Sequence, residues 1–259
     1  ALAPEPPAEL DEAPHPALLA LASVRGPAFG NAVHDSFELR EHGRPLSAQQ
    51  ALLARRLAHH GVRAAGEPLE ALVPRLAERL DAALQAALLP GLRLGEVAES
   101  AQRAEMAFHF ALDGARLDAL REACAAHGEA GLVPPLAWGE LRGLMTGKID
   151  LVFEHAGRVH VLDYKGNWLG ERLGDYRGAA LARAMDEHHY RLQALLYTVA
   201  VHRYLGQRLA AYSPEHHLGE AIYLFVRAAG LADGAGVWTQ AFDPALVRAV
   251  DAVFAEKGG

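Results

Sequence analysis

The sequence predicts a layered α/β or α+β domain, and three observations support this prediction. Helical patterns come first, between residues 28 and 89. Segments with the two-residue period of β-strands follow in the middle of the chain, and a long helical pattern separates them from two closing strands. At 259 residues, the chain is long enough to bury a substantial core, as one large domain or two small ones.

The opening residues are predicted to form a linker, because residues 1–16 are rich in Pro, Glu and Ala. We therefore divide the chain into an N-terminal extension, 1–25, and one folded domain, 26–259. Because the chain begins with Ala rather than Met, we expect it to be part of a longer protein.

Three helical regions follow the linker. Aromatic and valine residues spaced by four predict a helix over 28–40. Ser47 is well placed to cap a second helix over 48–60. A third helical pattern, over 67–89, predicts one or two further helices.

The middle of the chain alternates strands with helices. Period-two alternation predicts a strand over 103–110, and a helix follows over 117–127. Two runs rich in β-branched and aromatic residues, 149–153 and 159–165, predict a hairpin because the segment between them is short and contains Gly. The remaining predicted elements are a long amphipathic helix within 176–205, strands over 221–226 and 236–240, and a last helix over 244–254.

The composition limits the classes of function. A net charge of −7 argues against a protein that coats nucleic acid through a broad basic surface, but not against a nuclease whose acidic site is offset by metal ions. Cys124 is the only cysteine, which excludes an internal disulfide, a Cys-based zinc site and an iron–sulfur cluster held by this chain alone. No apolar run is long enough to span a bilayer and no signal-peptide pattern opens the chain, so we expect a cytoplasmic protein without a membrane partner.

The predicted chemistry rests on Asp150, in the first hairpin strand, and on the string Asp163-Tyr164-Lys165, in the second. Side chains alternate along a strand, so Asp163 and Lys165 project from one face while Tyr164 turns away. A hairpin can bring Asp150 alongside them. Two buried carboxylates are costly unless a cation joins them, and hard oxygen donors suit Mg²⁺. By itself, Asp-x-Lys on a strand is more often a solvated face or a simple ion pair.

Further candidates lie on the helices. Gln193 and Tyr197 are four residues apart, so they share a helix face and can donate hydrogen bonds to phosphate oxygens. From spacing alone, Tyr197 is better explained as a core aromatic, and spacing does not select His34 among fourteen histidines. A glycine-rich string at 143–148 fails as a phosphate-binding loop, because its glycines are one residue too close together.

Longer strings surround these residues. They are Gly147-x-x-Asp150-Leu-Val-Phe153, Leu162-Asp-Tyr-Lys165-x-Asn-Trp-Leu-Gly170, Tyr190-x-Leu-Gln193-x-x-Leu-Tyr197, Gly30-x-x-x-His34, Arg103-x-Glu105 and Tyr223-Leu-Phe-Val-Arg227. Together they resemble the C-terminal nuclease domain of RecB, the helicase–nuclease subunit of the RecBCD complex (exodeoxyribonuclease V), in the PD-(D/E)XK nuclease superfamily. The resemblance runs from Gly26 to Phe254. It departs at Gly166, where Ser is usual, and at Ala228, where Gly is usual.

The resemblance implies a restriction-endonuclease-like α/β core, with a central mixed β-sheet flanked by helices and a helical N-terminal region. It implies Mg²⁺, for which Mn²⁺ or Ca²⁺ substitutes in binding. The implied metal ligands are His34, Asp150, Asp163 and the backbone carbonyl of Tyr164. The implied catalytic residues are Asp150, Asp163, Lys165, Gln193 and Tyr197. Lys165 would orient or deprotonate the attacking water, while Gln193 and Tyr197 would support the site and the DNA backbone. Glu105 would lie beside the metal, in a role that is left open.

The implied function is that of a metal-dependent exodeoxyribonuclease. It would hydrolyse single-stranded and unwound duplex DNA delivered by the RecBCD helicase during double-strand break repair. Its partners would be RecC-like and RecD-like subunits and the helicase portion of RecB. One alternative is another nuclease of the same family, although members with a four-cysteine iron–sulfur cluster need cysteines that this chain lacks. The other is a non-catalytic docking module of the same fold, against which the intact Asp150, Asp163 and Lys165 argue.

Overall fold

The structure is a computed structural model that describes residues 12–111, 115–134, 140–141 and 144–255. Its helices are α1 (Pro16–Leu19), α2 (Pro27–Glu38), α3 (Gln50–His59), α4 (Leu69–Leu84), α5 (Leu117–Ala126), α6 (Gly178–Glu187), α7 (Tyr190–Arg208), α8 (Pro214–His217) and α9 (Pro244–Ala255). Its strands are β1 (Ala87–Leu89), β2 (Leu92–Arg93), β3 (Gln102–Ala111), β4 (Ala115–Arg116), β5 (Glu140–Leu141), β6 (Leu144–His155), β7 (Arg158–Lys165), β8 (Leu218–Phe225) and β9 (Val237–Gln240). None of the described helices is long and apolar enough to cross a membrane.

A mixed sheet of five strands forms the centre, in the order β3-β6-β7-β8-β9. Only β7 and β8 are parallel neighbours; the other pairs are antiparallel. A parallel pair needs a crossover connection, and here α6, α7 and α8 supply it. The predicted α/β fold with a mixed sheet flanked by helices is therefore confirmed.

Each face of the sheet packs against its own layer of helices. α2, α3 and α4 cover one face, where Leu162 and Leu224 are buried. α5, α6, α7 and α9 cover the other face, where Val161 and Tyr223 are buried. Because side chains alternate along a strand, consecutive residues enter opposite layers, and β7 and β8 are buried on both faces over most of their length.

Some element predictions were wrong in detail. The helix predicted over 48–60 begins at Gln50 after a 3₁₀ turn, so Ser47 is not its cap. The helix within 176–205 was predicted to be amphipathic. Instead, residues 197–201 of α7 are all buried, because α7 packs against both the sheet and α9. His189, in a left-handed conformation with φ of 54°, separates α7 from α6.

The described residues before Gly26 contribute to the core. Leu18, Leu21 and Val24 are buried. The guanidinium of Arg227, which is fully buried, donates hydrogen bonds to the carbonyls of Leu21 and Val24 at 2.8 and 2.6 Å. The limits of an extension, 1–25, and a domain, 26–259, stay a prediction, but the second half of that extension is packed structure.

The predicted hairpin is confirmed. A two-residue turn, Ala156-Gly157, joins β6 to β7, and both residues have positive φ, at 51° and 77°. This is the backbone geometry of a type I′ turn, whose twist matches that of the strands it connects.

The two hairpin strands separate at the predicted site. Pairing between β6 and β7 ends at Leu151 and Leu162, whereas β6 stays paired with β3 to its other end. The next residues on the two strands are Asp150 and Asp163. Their carboxylates therefore lie where the sheet splits.

Glu105 marks an irregularity opposite this split. Its φ is 50°, which is uncommon for a residue other than Gly, Asn or Asp. Its two neighbours in β3 pair with Ile149 and Leu151, so Glu105 stands across from Asp150. Ile149 packs in one core layer and Leu151 in the other, which regular alternation would not allow. The backbone is thus distorted at the position of Asp150.

Candidate active site

His34, on α2, contacts the hairpin at two points. Its Nε2 lies 2.6 Å from the carbonyl oxygen of Tyr164, and because a carbonyl only accepts, Nε2 carries the hydrogen. Its Nδ1 lies 3.4 Å from Oδ1 of Asp150. The backbone N–H of Tyr164 donates to Oδ2 of the same aspartate at 2.9 Å. Three of the four residues predicted to bind metal are therefore in mutual contact.

The position of His34 follows from the packing of α2. Phe29, Val33 and Phe37 are buried on the face that meets the sheet. The ring of Phe37 stacks on the ring of Tyr164 with 4.3 Å between centroids. The Tyr164 side chain thus points into the core, as strand alternation predicted, and its backbone is left facing His34.

Asp163 and Lys165 face α7, where they join a ring of four side chains. Lys165 Nζ lies 2.5 Å from Oδ1 of Asp163 and donates to Oε1 of Gln193 at 3.2 Å. Nε2 of Gln193 donates to the hydroxyl of Tyr197 at 2.9 Å. Tyr197 completes the ring, since it lies close enough to Asp163 for the charge of that carboxylate to act on its pKa. The structure therefore brings together the residues predicted on β7 and on the following helix.

Tyr223 belongs to the same cluster, although the sequence analysis gave it no role. Its hydroxyl donates to Oε1 of Gln193 at 2.9 Å, and its ring centroid lies 5.1 Å from Lys165 Nζ. The ring of Tyr190 is closer to that ammonium, at 3.9 Å, a distance typical of a cation–π contact. Tyr223 is paired with Asp163 across the parallel strands. The sequence alone does not show that β8 lies beside β7, and that pairing is what places Tyr223 in the site.

Burial and charge set the electrostatics of the site. Asp163 is 3% exposed, and burial raises its pKa to about 6 although the Lys165 ammonium opposes the shift. Burial lowers the pKa of His34, but contacts with Asp150 and the charge of Asp163 outweigh it, and the pKa is raised overall. Tyr197 also has a raised pKa, from burial and from the two nearby aspartates. Burial is thus the main cause of the raised pKa values of Asp163 and Tyr197, and the charge of Asp150 adds to both.

The donor atoms fit a divalent cation. Imidazole nitrogen, carboxylate oxygen and carbonyl oxygen are all ligands of such ions. Oδ1 of Asp163 is a buried oxygen without a well-directed hydrogen bond, despite its contact with Lys165. In the part of the chain that the structure describes, however, no three His, Cys, Asp or Glu side chains are already arranged to hold a metal. The metal set of His34, Asp150, Asp163 and Tyr164 therefore stays a prediction.

Glu105 lies on the outer side of Asp150. Its carboxylate accepts a hydrogen bond from Lys148 at 2.8 Å. Together with Glu38 and Glu99 it lines a pocket of about 200 Å³ that also contains His34 and Asp150. Burial, and next the charge of Glu105, raise the pKa of Glu38. Arg40 also lines this pocket, but the four carboxylates of Glu38, Glu99, Glu105 and Asp150 outnumber it, so this side of the site is acidic.

Comparison with known proteins agrees with the geometry. The model of the PD-(D/E)XK nuclease superfamily matches residues 14–257. The RecBCD enzyme subunit RecB of Escherichia coli (strain K12) is 36% identical over 237 residues, 89% of this chain and 19% of that protein. RecB of Mycolicibacterium smegmatis is 34% identical over 229 residues, 78% of this chain and 21% of that protein. RecB of Mycobacterium tuberculosis (strain H37Rv) is 49% identical over 88 residues, 34% of this chain and 8% of that protein.

The chain thus spans about a fifth of the length of the first two relatives. These matches confirm the resemblance that the sequence strings indicated. The chain belongs to the PD-(D/E)XK nuclease superfamily, within which it is similar to the nuclease domain of RecB.

Proposed function

We propose that this chain is a Mg²⁺-dependent exodeoxyribonuclease domain. It would hydrolyse phosphodiester bonds in DNA strands delivered by the helicase of a RecBCD-type complex during double-strand break repair. The observation that carries the proposal is the convergence of His34, Asp150 and the Tyr164 carbonyl beside the Asp163–Lys165 pair, where the sheet splits.

His34, Asp150, Asp163 and the Tyr164 carbonyl would hold the ion, and members of this superfamily typically use divalent metals. When bound, Mg²⁺ lowers the pKa of a water molecule and neutralises charge that develops on the phosphate. Because Nε2 of His34 donates to the Tyr164 carbonyl, the lone pair of the neutral imidazole is on Nδ1, on the side of Asp150, and this nitrogen would be the one available to a metal.

Lys165 would act on the water and the phosphate. Its ammonium donates to Gln193, lies 2.5 Å from Oδ1 of Asp163 and has the ring of Tyr190 at 3.9 Å. An ammonium has three hydrogens, so Lys165 would also be able to orient the attacking water or to stabilise the phosphate oxygens. The amide of Gln193 is engaged by Lys165, Tyr197 and Tyr223, which favours a role for Gln193 and Tyr197 in positioning Lys165 over direct contact with DNA.

The proposed partners are single-stranded and unwound duplex DNA, RecC-like and RecD-like subunits, and the helicase portion of RecB. The support is that the relatives are RecB subunits of RecBCD enzymes and exceed this chain in length about fivefold. We also propose a cytoplasmic location without a membrane partner, because the relatives are subunits of RecBCD enzymes.

Digestion of single-stranded and linear duplex DNA in Mg²⁺ tests the proposal. Asp163→Ala should reduce the rate by about 10³-fold or more, because it removes a metal ligand and the carboxylate partner of Lys165. Asp118→Ala, which removes an exposed aspartate from α5, is the matched control and should cut like the wild type. Equal activity in wild type and Asp163→Ala would sink the assignment. A non-catalytic docking module would also show no Mn²⁺ binding that depends on Asp150.

A further inference from the structure

His34 separates two pockets of opposite character. The pocket on the side of Asp150 is acidic, as described above. On the other side, a cleft of about 500 Å³ extends from the start of α2 to Lys165 and Trp168. Its charged and polar lining residues are Arg25, Asn31, His34, Lys165, Asn167 and His188. No Asp or Glu is found among the described residues that line it.

Arg25 is held in place at the mouth of this cleft. Its guanidinium lies 4.6 Å from the ring centroid of Trp168, and the buried guanidinium of Arg227 lies 5.4 Å from the same ring. Arg25 is exposed, and it has no ion-pair partner in the described part of the chain. Stacking thus orders the guanidinium while its hydrogens stay available to an anion.

A second stacked pair lines the cleft. The rings of His188 and Tyr190 are 5.1 Å apart and inclined by 22°. Asn167 holds both: its Oδ1 accepts from the Tyr190 hydroxyl at 3.2 Å, and its Nδ2 donates to His188 Nε2 at 3.3 Å. Proteins that bind single strands combine cationic groups for the phosphates with flat groups on which bases stack, and this cleft offers both.

We propose that this cleft binds an unpaired DNA strand on one side of the phosphate that is cut, with Arg25 contacting a backbone phosphate. Phosphates are repelled by the acidic pocket, so the strand is expected on the opposite side of His34. The volume is within the range of about 300–1,000 Å³ for small-ligand sites, which suits unpaired nucleotides better than a duplex. The inference rests on the proposed nuclease function, since it places the substrate of that site.

Binding of a fluorescein-labelled oligothymidylate, measured by anisotropy in EDTA, tests the inference. Arg25→Gln should weaken binding by about three- to tenfold and reduce the slope of log affinity against log salt by about 0.7, as for one lost phosphate contact. Arg93→Gln is the control, because it removes the same charge from an exposed arginine on β2 that lines neither pocket. Equal affinity in wild type and Arg25→Gln, or an equal loss in both variants, would overturn the inference.

The same binding measurement with a blunt-ended duplex distinguishes single-stranded from double-stranded DNA. Arg25→Gln should change its affinity less than twofold, and an equal loss for duplex and single strand would overturn the assignment to an unpaired strand. Because EDTA prevents hydrolysis, these results do not depend on catalysis. If Asp163→Ala cuts DNA like the wild type while Arg25→Gln still weakens binding, only the nuclease proposal is refuted. If Asp163→Ala loses activity while Arg25→Gln binds like the wild type, only the cleft proposal is refuted.

Discussion

The Nε2 of His34 lies 2.6 Å from the carbonyl oxygen of Tyr164, a residue 130 positions later in the chain. This contact joins the helical layer to the end of β7. It also places an imidazole beside the carboxylate of Asp150. Helix and hairpin together therefore form the candidate metal site, and neither element contains the full donor set alone.

His34→Ala should weaken binding of Mn²⁺ by at least about tenfold, because it removes one proposed ligand from the set. Titration calorimetry with Mn²⁺ measures this effect. His216→Ala is the control, since His216 is exposed on α8 and away from the site. Unchanged Mn²⁺ affinity in His34→Ala would exclude His34 as a ligand.

Lys165→Met should separate metal binding from hydrolysis. We expect the rate of DNA cleavage to fall by about 10²- to 10⁴-fold, because the group that acts on the water is lost. Mn²⁺ affinity should persist, since the carboxylates and His34 remain. Arg93→Met, which removes a cation from an exposed residue of β2 outside both pockets, is the control for both assays. Wild-type cleavage by Lys165→Met would refute the role given to this lysine.

Tyr223→Phe tests whether the cluster around Gln193 positions Lys165. Loss of the hydroxyl removes a hydrogen bond to Gln193 and should cost about 1 kcal/mol of unfolding free energy. Tyr212→Phe loses a comparable bond, to His202, far from the site. We expect similar stability losses in the two variants, but a several-fold lower kcat, with little change in KM, only in Tyr223→Phe. Equal kcat values would reduce Tyr223 to a structural residue.

Arg227→Met should destabilise the fold by about 3 kcal/mol or more. The buried guanidinium donates to the carbonyls of Gly166, Leu21 and Val24, and each buried carbonyl left without a partner costs roughly 1–3 kcal/mol. Urea unfolding measures the change. Arg93→Met should stay within about 0.5 kcal/mol of the wild type, as an exposed residue. A small effect at Arg227 would mean that water replaces the lost donors.

His160 should make stability depend on pH. Burial lowers the pKa of this histidine below its usual 6.5, against the charge of Glu220, and its Nδ1 accepts the backbone N–H of Glu220. The unfolded chain therefore binds the extra proton as pH falls below 6.5. Stability from neutral His160 is present above pH 6.5 and is lost as pH falls toward the folded-state pKa.

The measurement is urea unfolding between pH 5 and 7.5, comparing wild type with His160→Phe. Phenylalanine keeps the stacking on Phe153 but does not titrate. The stability advantage of the wild type should shrink as the pH is lowered. A constant difference across this range would contradict the lowered pKa.

Local sequence patterns were sufficient to predict most of the secondary structure around the site. Alternation and a short connection with Gly predicted the hairpin, and four-residue spacing predicted α2. The same alternation correctly placed Asp163 and Lys165 on one face. These features depend on residues close together in the chain, which is why pattern alone reveals them.

Other features depend on contacts that are distant in sequence. The role of Tyr223 follows from the parallel pairing of β7 with β8, and the docking of Leu21 and Val24 follows from hydrogen bonds with Arg227. Nothing in the local sequence of β3 marks Glu105 for a left-handed backbone. His34 was selected by resemblance, since spacing alone does not distinguish it from the other histidines of the chain.

Where β6 and β7 separate, the side chain of Asp150 takes the place of a backbone hydrogen-bond acceptor: its Oδ2 accepts the amide hydrogen of Tyr164. Its Oδ1 faces His34. A cation drawn to Oδ1 would withdraw electron density from the whole carboxylate and so weaken its bond to that amide. The amide of Tyr164 is thus a natural reporter of occupancy. Its NMR chemical shift and its hydrogen-exchange rate would follow filling of the site without any added label.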